Sequence, residues 1–293
     1  MKPFLLIFLL SSALGGCVPV KKVNDYSSNS LKSIRDFEKL DCSFTEAYIS
    51  RLRQQEFGNY FTVTTLELDS TRPLRGDRTT LAQARKIDSS MAVIYRVLAG
   101  YFDGLARFSA ANVTNYTIDT VTDNLAGGGL IDTMAVSPAT ISAYGTIVRD
   151  ITVAVASGYR ARHLEAYILR ADTPIHILLD KFKTNLQVSL RNLLESQRQI
   201  YRDDIYPDML SKATPGFGKK QVIEDYDHQL GLLREKERLI DTYARGLDSI
   251  AAGHAYLAAH LHELKARDVK ETLSKYSSTI KELYTSFNTI KKP

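Results

Sequence analysis

The chain has 293 residues, of which 44% are hydrophobic, and a formal net charge of +5. The hydrophobic content is ordinary for a soluble globular protein, and two cysteines are too few for a disulfide-rich scaffold. The positive charge is spread along the chain and forms no basic block, so we predict no nucleic-acid partner. The sequence has no tryptophan, which excludes a Trp belt at a membrane interface.

The chain opens with a short hydrophobic segment. Lys2 is followed by an apolar run from Phe4 to Leu10 and then by small residues up to Gly16. A charged start, a short apolar stretch and small residues are the three parts of a secretory signal peptide. The apolar run is much shorter than the roughly 20 residues that cross a bilayer as a helix. We therefore predict that residues 1–16 are a signal peptide.

The segment Leu14-Gly15-Gly16-Cys17 resembles the lipobox of bacterial lipoproteins. This resemblance covers residues 1–17 only. It implies cleavage between Gly16 and Cys17, a diacylglycerol thioether on the Cys17 sulfur and acylation of the new amino group. Several acyl chains give stable anchoring, whereas a single chain is marginal. Because Val18 stands where an aspartate would favour inner-membrane retention, the resemblance implies an outer-membrane protein facing the periplasm. An ordinary signal peptide with a coincidental cysteine is the alternative.

The residues after the anchor are polar. Val18 to Ser30 contains a proline and several serines, so we predict that residues 17–30 are the lipidated cysteine and a flexible tether. With Cys17 lipidated, Cys42 has no partner in its own chain. It is either a buried free thiol, which we favour because cysteine is among the most buried residue types, or part of an intermolecular disulfide.

Residues 31–293 are predicted to form one all-α domain, because apolar residues recur every three or four positions along most of it. The predicted helices cover, in chain order, the ranges 31–52, 79–112, 115–126, 137–159, 173–200, 223–264 and 268–290. Pro174 either kinks one long helix or separates two. Residues 59–68 hold at most a short β segment, and residues 213–218 form the clearest turn. The expected architecture is an elongated antiparallel bundle of about five to seven helices.

No catalytic constellation is recognisable. Residues 213–220 superficially resemble a phosphate-binding loop, but Ala213 stands in place of a required glycine and Lys220 in place of a Mg²⁺-binding Ser or Thr. His262-Glu263 begins a zinc-protease motif in which Ala266 replaces the second histidine. We therefore predict a non-enzymatic protein without catalytic residues, cofactors or metal ligands.

Three histidines are candidate binding residues. His176 with Asp180 and His228 with Asp225 are acid–histidine pairs at helical spacing, but neither pair has the further ligands of a bundle metal centre. His254 lies on the apolar seam of the longest predicted helix. The favoured interpretation is a buried histidine with a hydrogen-bond partner, and a contact with a bound ligand is the alternative.

The region 130–159 is unusually apolar, with only three charged residues, Asp132, Arg149 and Asp150. We favour a central helix that its neighbours bury on most sides. In the alternative, an apolar surface that includes Tyr144 and Ile147 docks a partner helix or enters a membrane, with the glycines at 127–129 as a hinge.

Three functions remain open at this stage. The first is a membrane-anchored lipoprotein that presents a helical bundle for protein–protein interaction or envelope support. The second is a bundle that binds a small apolar ligand or a metal in its interior, near His254. The third is a membrane-active helical protein, similar to pore-forming proteins, that uses residues 127–159.

Overall fold

The computed structural model describes residues 17–57, 80–110, 142–143, 145–147 and 164–291. In these ranges the chain forms six long helices and no strand, so the predicted all-α bundle is confirmed. The segment 59–68, for which a short β segment was predicted, lies outside the described residues, as does the predicted helix at 115–126.

The helices are numbered in chain order. Helix α1 is Cys17–Arg35, α2 is Phe44–Phe57, α3 is Leu81–Phe108, α5 is Phe217–Ala259 and α6 is Arg267–Ile290. Helix α4 covers 164–212 and has three α-helical parts, Leu164–Thr184, Arg191–Ile200 and Tyr206–Lys212, with π-helical turns at Asn185–Leu190 and Tyr201–Ile205 between them. Pro174 lies inside the first of these parts, so it does not separate two helices.

Helix α1 begins where we had predicted a flexible tether. Residues 17–30 are helical, and the side chains of Val23 and Tyr26 are fully buried. The Tyr26 hydroxyl donates a hydrogen bond of 2.6 Å to the backbone oxygen of Ile250 in α5. The prediction of a flexible tether over 17–30 is therefore wrong, and the packed domain begins at Val23 or earlier instead of at residue 31.

Serines explain why the composition of α1 was misleading. Ser27 and Ser30 are fully buried, and each hydroxyl donates to a backbone oxygen one helical turn earlier, at Val23 and Tyr26 respectively. A serine that bonds back in this way brings no unsatisfied polar group into the interior. A sequence rich in serine can thus form the buried face of a helix.

Two pairs of helices, α4 with α5 and α1 with α5, pack antiparallel. Their directions determine which helix ends lie at each end of the bundle. Helix α4 runs against α5, with Lys183 paired to Asp248 at 2.7 Å. Helix α1 also runs against α5, because Tyr26 bonds to Ile250 whereas Tyr243 of α5 donates to the backbone oxygen of Ile34. Helix α1 therefore begins at the end of the bundle where α5 ends, and the turn between α4 and α5 lies at the opposite end.

The hydrophobic core fills the bundle except at residues 206–229, none of which is buried. Its largest fully buried side chains include Tyr26, Tyr48, Tyr101, Phe102, Phe182 and Phe287. The core combines residues of all six helices with Ala143 and Ile147. None of the helices in the described ranges combines the length and the apolarity that a bilayer crossing requires.

Candidate functional site

Polar side chains from three helices meet around His254 in the interior of the bundle. The His254 side chain, on α5, is fully buried. Its Nε2 atom is 2.7 Å from the hydroxyl of Tyr101 on α3, and its Nδ1 atom is 2.9 Å from Oδ1 of Asp172 on α4. Both ring nitrogens therefore have a hydrogen-bond partner, as buried polar groups require.

Burial and hydrogen bonding set the charges of this pair. Burial lowers the pKa of His254, and the bond to Asp172 offsets this effect only in part. The hydrogen bond from His254 is the main cause of a lowered pKa at Asp172. The pair is thus a neutral imidazole beside a carboxylate at neutral pH. In that state Nδ1–H donates to Asp172, and Nε2 accepts from the Tyr101 hydroxyl.

His176 completes the cluster from one turn further along α4. Its Nε2 atom is 3.5 Å from Oδ1 of Asp172 and has no hydrogen-bond partner although it is shielded from solvent. Asp172, His176 and His254 offer three ligand atoms that all lie within 4.8 Å of one another. The His254 side chain is 0% exposed, whereas Asp172 and His176 are 34% and 36% exposed, so the cluster lies at the edge of the core.

Aromatic rings enclose the inner side of the cluster. Tyr101 stacks on Tyr167, with ring centroids 5.0 Å apart and an interplanar angle of 11°. The Tyr167 hydroxyl donates to the backbone oxygen of Tyr101 at 3.3 Å. Phe102 meets the His254 ring edge-on at 6.3 Å. The imidazole of His254 is therefore held in one orientation, and Asp172 and His176 are the partly exposed members of the cluster.

Part of this cluster is predictable from the sequence. The sequence pattern indicates the buried position of His254, but it pairs His176 with Asp180, which is exposed. The structure pairs His176 with Asp172 instead, four residues before it on α4. The spacing of Asp172 and His176 was a usable signal, since such residues share a helix face.

A second feature is the helical hairpin at the far end of the bundle, residues 206–229, which we call the hairpin tip. It contains the end of α4, the turn predicted at 213–218 and the start of α5. None of its residues is buried. Phe217, the first residue of α5, is 78% exposed, and Ile223 is 43% exposed. Large apolar side chains are thus presented to solvent on a projecting element.

The hairpin tip is held together by aromatic stacking instead of a core. Tyr206 of α4 stacks on Tyr226 of α5 with ring centroids 4.0 Å apart. Tyr201 also stacks on Tyr226, at 6.0 Å, and its hydroxyl donates to a carboxylate oxygen of Asp225. These contacts join the two helices of the hairpin through their own side chains, so Phe217 is not needed to hold the hairpin together.

The remaining predicted site residues are Gly16, Cys17, Tyr144 and Ile147, and the structure describes two of them, Cys17 and Ile147. Cys17 is the first residue of α1, whereas Gly16 and Tyr144 lie outside the described residues. Ile147 is fully buried in the hydrophobic core. This position corrects the alternative in which Ile147 lines an exposed docking surface, because a side chain without exposed area cannot contact a partner.

Cys42 lies in a groove between α2, α3 and α4. The groove has a volume of about 340 Å³ and is lined mainly by apolar side chains, with Phe37, Phe44 and Met91 among them. The thiol is free and partly buried, and burial raises the pKa of Cys42 to about 11. A thiol with such a pKa remains protonated at neutral pH and is a poor nucleophile.

Comparison of the chain with protein-family models, with curated proteins and with solved structures gave no match in any of the three.

Proposed function

We propose that the protein is a non-enzymatic bacterial lipoprotein, anchored by lipid on Cys17, whose helical bundle presents the hairpin tip to a protein partner in the cell envelope. The lipid anchor rests on the lipobox-like segment at residues 14–17. The interaction role rests on one structural observation. The exposed apolar side chains of the hairpin tip lie at the end of the bundle opposite to Cys17.

The distance between the two ends follows from helix geometry. Because α1 and α5 are antiparallel, Cys17 lies approximately level with Ala259, the last residue of α5. From Ala259 back to Phe217 the helix rises by about 60 Å at 1.5 Å per residue. Val23, which is fully buried, follows Cys17 by six positions, or about 9 Å of helix. A lipid on Cys17 would therefore hold one end of the bundle near the membrane and leave the hairpin tip far from it.

The chemistry of the hairpin tip favours a protein over a membrane or a polyanion. Aromatic residues are enriched among the anchors that carry most of the binding energy at protein interfaces, and Phe217 is the most exposed large hydrophobic residue of the described chain. The charged residues near it are of both signs, with Lys219, Lys220, Glu224 and Asp227 as examples. We therefore propose that the partner offers an apolar pocket with a polar rim.

The anchor is tested by metabolic labelling. We expect the wild type to incorporate radioactive palmitate and to sediment with the outer membrane. Cys17→Ser should remain unlabelled because no other residue of the lipobox-like segment has a thiol. Labelling of the Cys17→Ser variant, or a wild type without label, would contradict the anchor.

The interaction is tested by photocrosslinking in intact cells. A benzophenone amino acid at Gln221, one turn from Phe217, should give a discrete adduct, whereas the same probe at Glu282, on the exposed face of α6, should not. Phe217→Ala should abolish the adduct and leave the melting temperature unchanged, since substitutions of exposed residues usually alter stability by less than about 0.5 kcal/mol. An adduct that persists in Phe217→Ala would show that the hairpin tip is not the contact.

A further inference from the structure

We propose that Asp172, His176 and His254 form a binding site for a divalent transition-metal ion, and that Zn²⁺ is the ion they fit best. The ligand atoms are Oδ1 of Asp172, Nε2 of His176 and Nδ1 of His254. This site lies on a different part of the bundle from the hairpin tip, so the proposal does not depend on the proposed function.

Two of the three distances between the ligand atoms are close to those of one face of a tetrahedron. Zinc binds imidazole nitrogen and carboxylate oxygen at about 2.0–2.2 Å, which places neighbouring ligand atoms about 3.3 Å apart. The structure has 2.9 Å between His254 and Asp172, and 3.5 Å between His176 and Asp172. A metal ion would therefore require a small separation of the first pair and almost no change in the second. The third pair, His176 and His254, lies within the 4.8 Å that encloses all three ligand atoms.

The unsatisfied nitrogen of His176 is the observation that favours a ligand over a purely structural network. A shielded nitrogen without a hydrogen bond costs free energy unless something binds to it. Nε2 of His176 is shielded and has no hydrogen-bond partner. It lies 3.5 Å from a carboxylate oxygen that already accepts a hydrogen bond from His254. A metal ion in this position would satisfy the nitrogen and replace that hydrogen bond with coordination of both groups.

Tyr101 supplies the outer contact that a metal-bound histidine requires. Metal-binding histidines almost always use their second ring nitrogen for a hydrogen bond that fixes the tautomer and the ring orientation. With a metal ion on Nδ1, the proton of the neutral His254 ring lies on Nε2 and is donated to the Tyr101 hydroxyl oxygen, 2.7 Å away. The imidazole keeps its net charge, and the ring does not need to turn.

The site has three protein ligands and one open position. His254 approaches from the buried side, whereas Asp172 and His176 are about one-third exposed. The fourth position of a tetrahedral ion would therefore face solvent and hold a water molecule or an exchangeable ligand. Two imidazoles and one carboxylate are ligands that zinc uses in this three-plus-one arrangement.

The test uses the full-length protein in detergent, treated with a chelator and then titrated with Zn²⁺ in competition with a chromophoric chelator. We expect one ion per chain and a higher melting temperature with Zn²⁺ than without it, because an ion that binds only the folded state stabilises it. Co²⁺ in place of Zn²⁺ should give the visible absorption of a four-coordinate ion.

His176→Gln is the deciding variant, because the nitrogen proposed as the ligand, Nε2 of His176, makes no hydrogen bond that the substitution would remove. It should weaken Zn²⁺ binding by more than about tenfold, since even changes to outer contacts of metal ligands cost 10- to 100-fold. The matched control is His228→Gln, which removes an exposed histidine of the hairpin tip and should bind as the wild type does. A wild type that cannot compete for Zn²⁺, or a His176→Gln variant that binds with wild-type affinity, would overturn the proposal.

Discussion

The side chain of Tyr26 tests whether residues 17–30 are part of the packed domain. Tyr26→Ala removes a fully buried ring and the hydrogen bond from its hydroxyl to Ile250. Loss of a buried aromatic ring costs about 3–5 kcal/mol, and loss of the hydrogen bond about 1 kcal/mol. The sum, about 4–6 kcal/mol, is a large part of the 5–15 kcal/mol by which proteins are typically stable. A flexible tether would give no effect.

Thermal unfolding followed by circular dichroism measures this difference. For a domain of this size, about 1 kcal/mol corresponds to 2–4 °C, so Tyr26→Ala should lower the melting temperature by roughly 10–20 °C. The control is Lys21→Ala, an exposed position on the same helix, which should melt with the wild type. If both variants melt within about 2 °C of the wild type, then α1 does not pack as described and the tether interpretation stands.

Two further substitutions test how closely α1 approaches α5 and whether residue 147 is core. On α5, Gly253→Ala should destabilise by about 1–3 kcal/mol, because its Cβ would lie 2.5 Å from a ring carbon of Tyr26. Gly231→Ala on the same helix, where no atom lies within 4 Å, should stabilise by about 0.5–1 kcal/mol; equal unfolding free energies for the two variants would refute the close contact. Ile147→Asp should cost about 3–5 kcal/mol because it places an unpaired charge at a fully buried position, and a melting curve like that of the wild type would show that the residue is exposed.

Periodicity predicted most of the bundle because its helices bury continuous apolar stripes. Helix α5 is an example, since Leu247, Ile250 and Leu257 are all buried on one face. Residues 17–30 of helix α1 were missed because the buried face of this segment is partly serine, and serine counts as polar in any hydropathy pattern. Small side chains let helix backbones approach closely. A Cβ on Gly246 of α5 would lie 2.8 Å from the hydroxyl of Ser33, so this part of the interface selects for small size instead of hydrophobicity.

The histidine cluster was less predictable because it depends on contacts between distant parts of the chain. Asp172 is 82 residues from His254, and Tyr101 is 153 residues from it. A single sequence shows which residues share a helix face, as Asp172 and His176 do, but it does not show which face of another helix lies opposite. The position of His254 on the apolar seam indicated burial. Its hydrogen-bond partners depend on the register between α3, α4 and α5, which the sequence does not give.

Different interactions stabilise the two ends of the bundle. One end has buried hydrogen bonds between helices, and the other has aromatic stacking without a buried core. At the end that carries Cys17, the hydrogen bonds of Tyr26 and His254 cross between helices in fully buried surroundings. At the other end, the hairpin tip is held by a stack of tyrosines, and none of its residues is buried. Regions with few buried contacts open at lower free energy than the core. The hairpin tip can therefore open or adjust without disturbing the end that carries Cys17, and the proposed function, a tethered docking protein, requires this division.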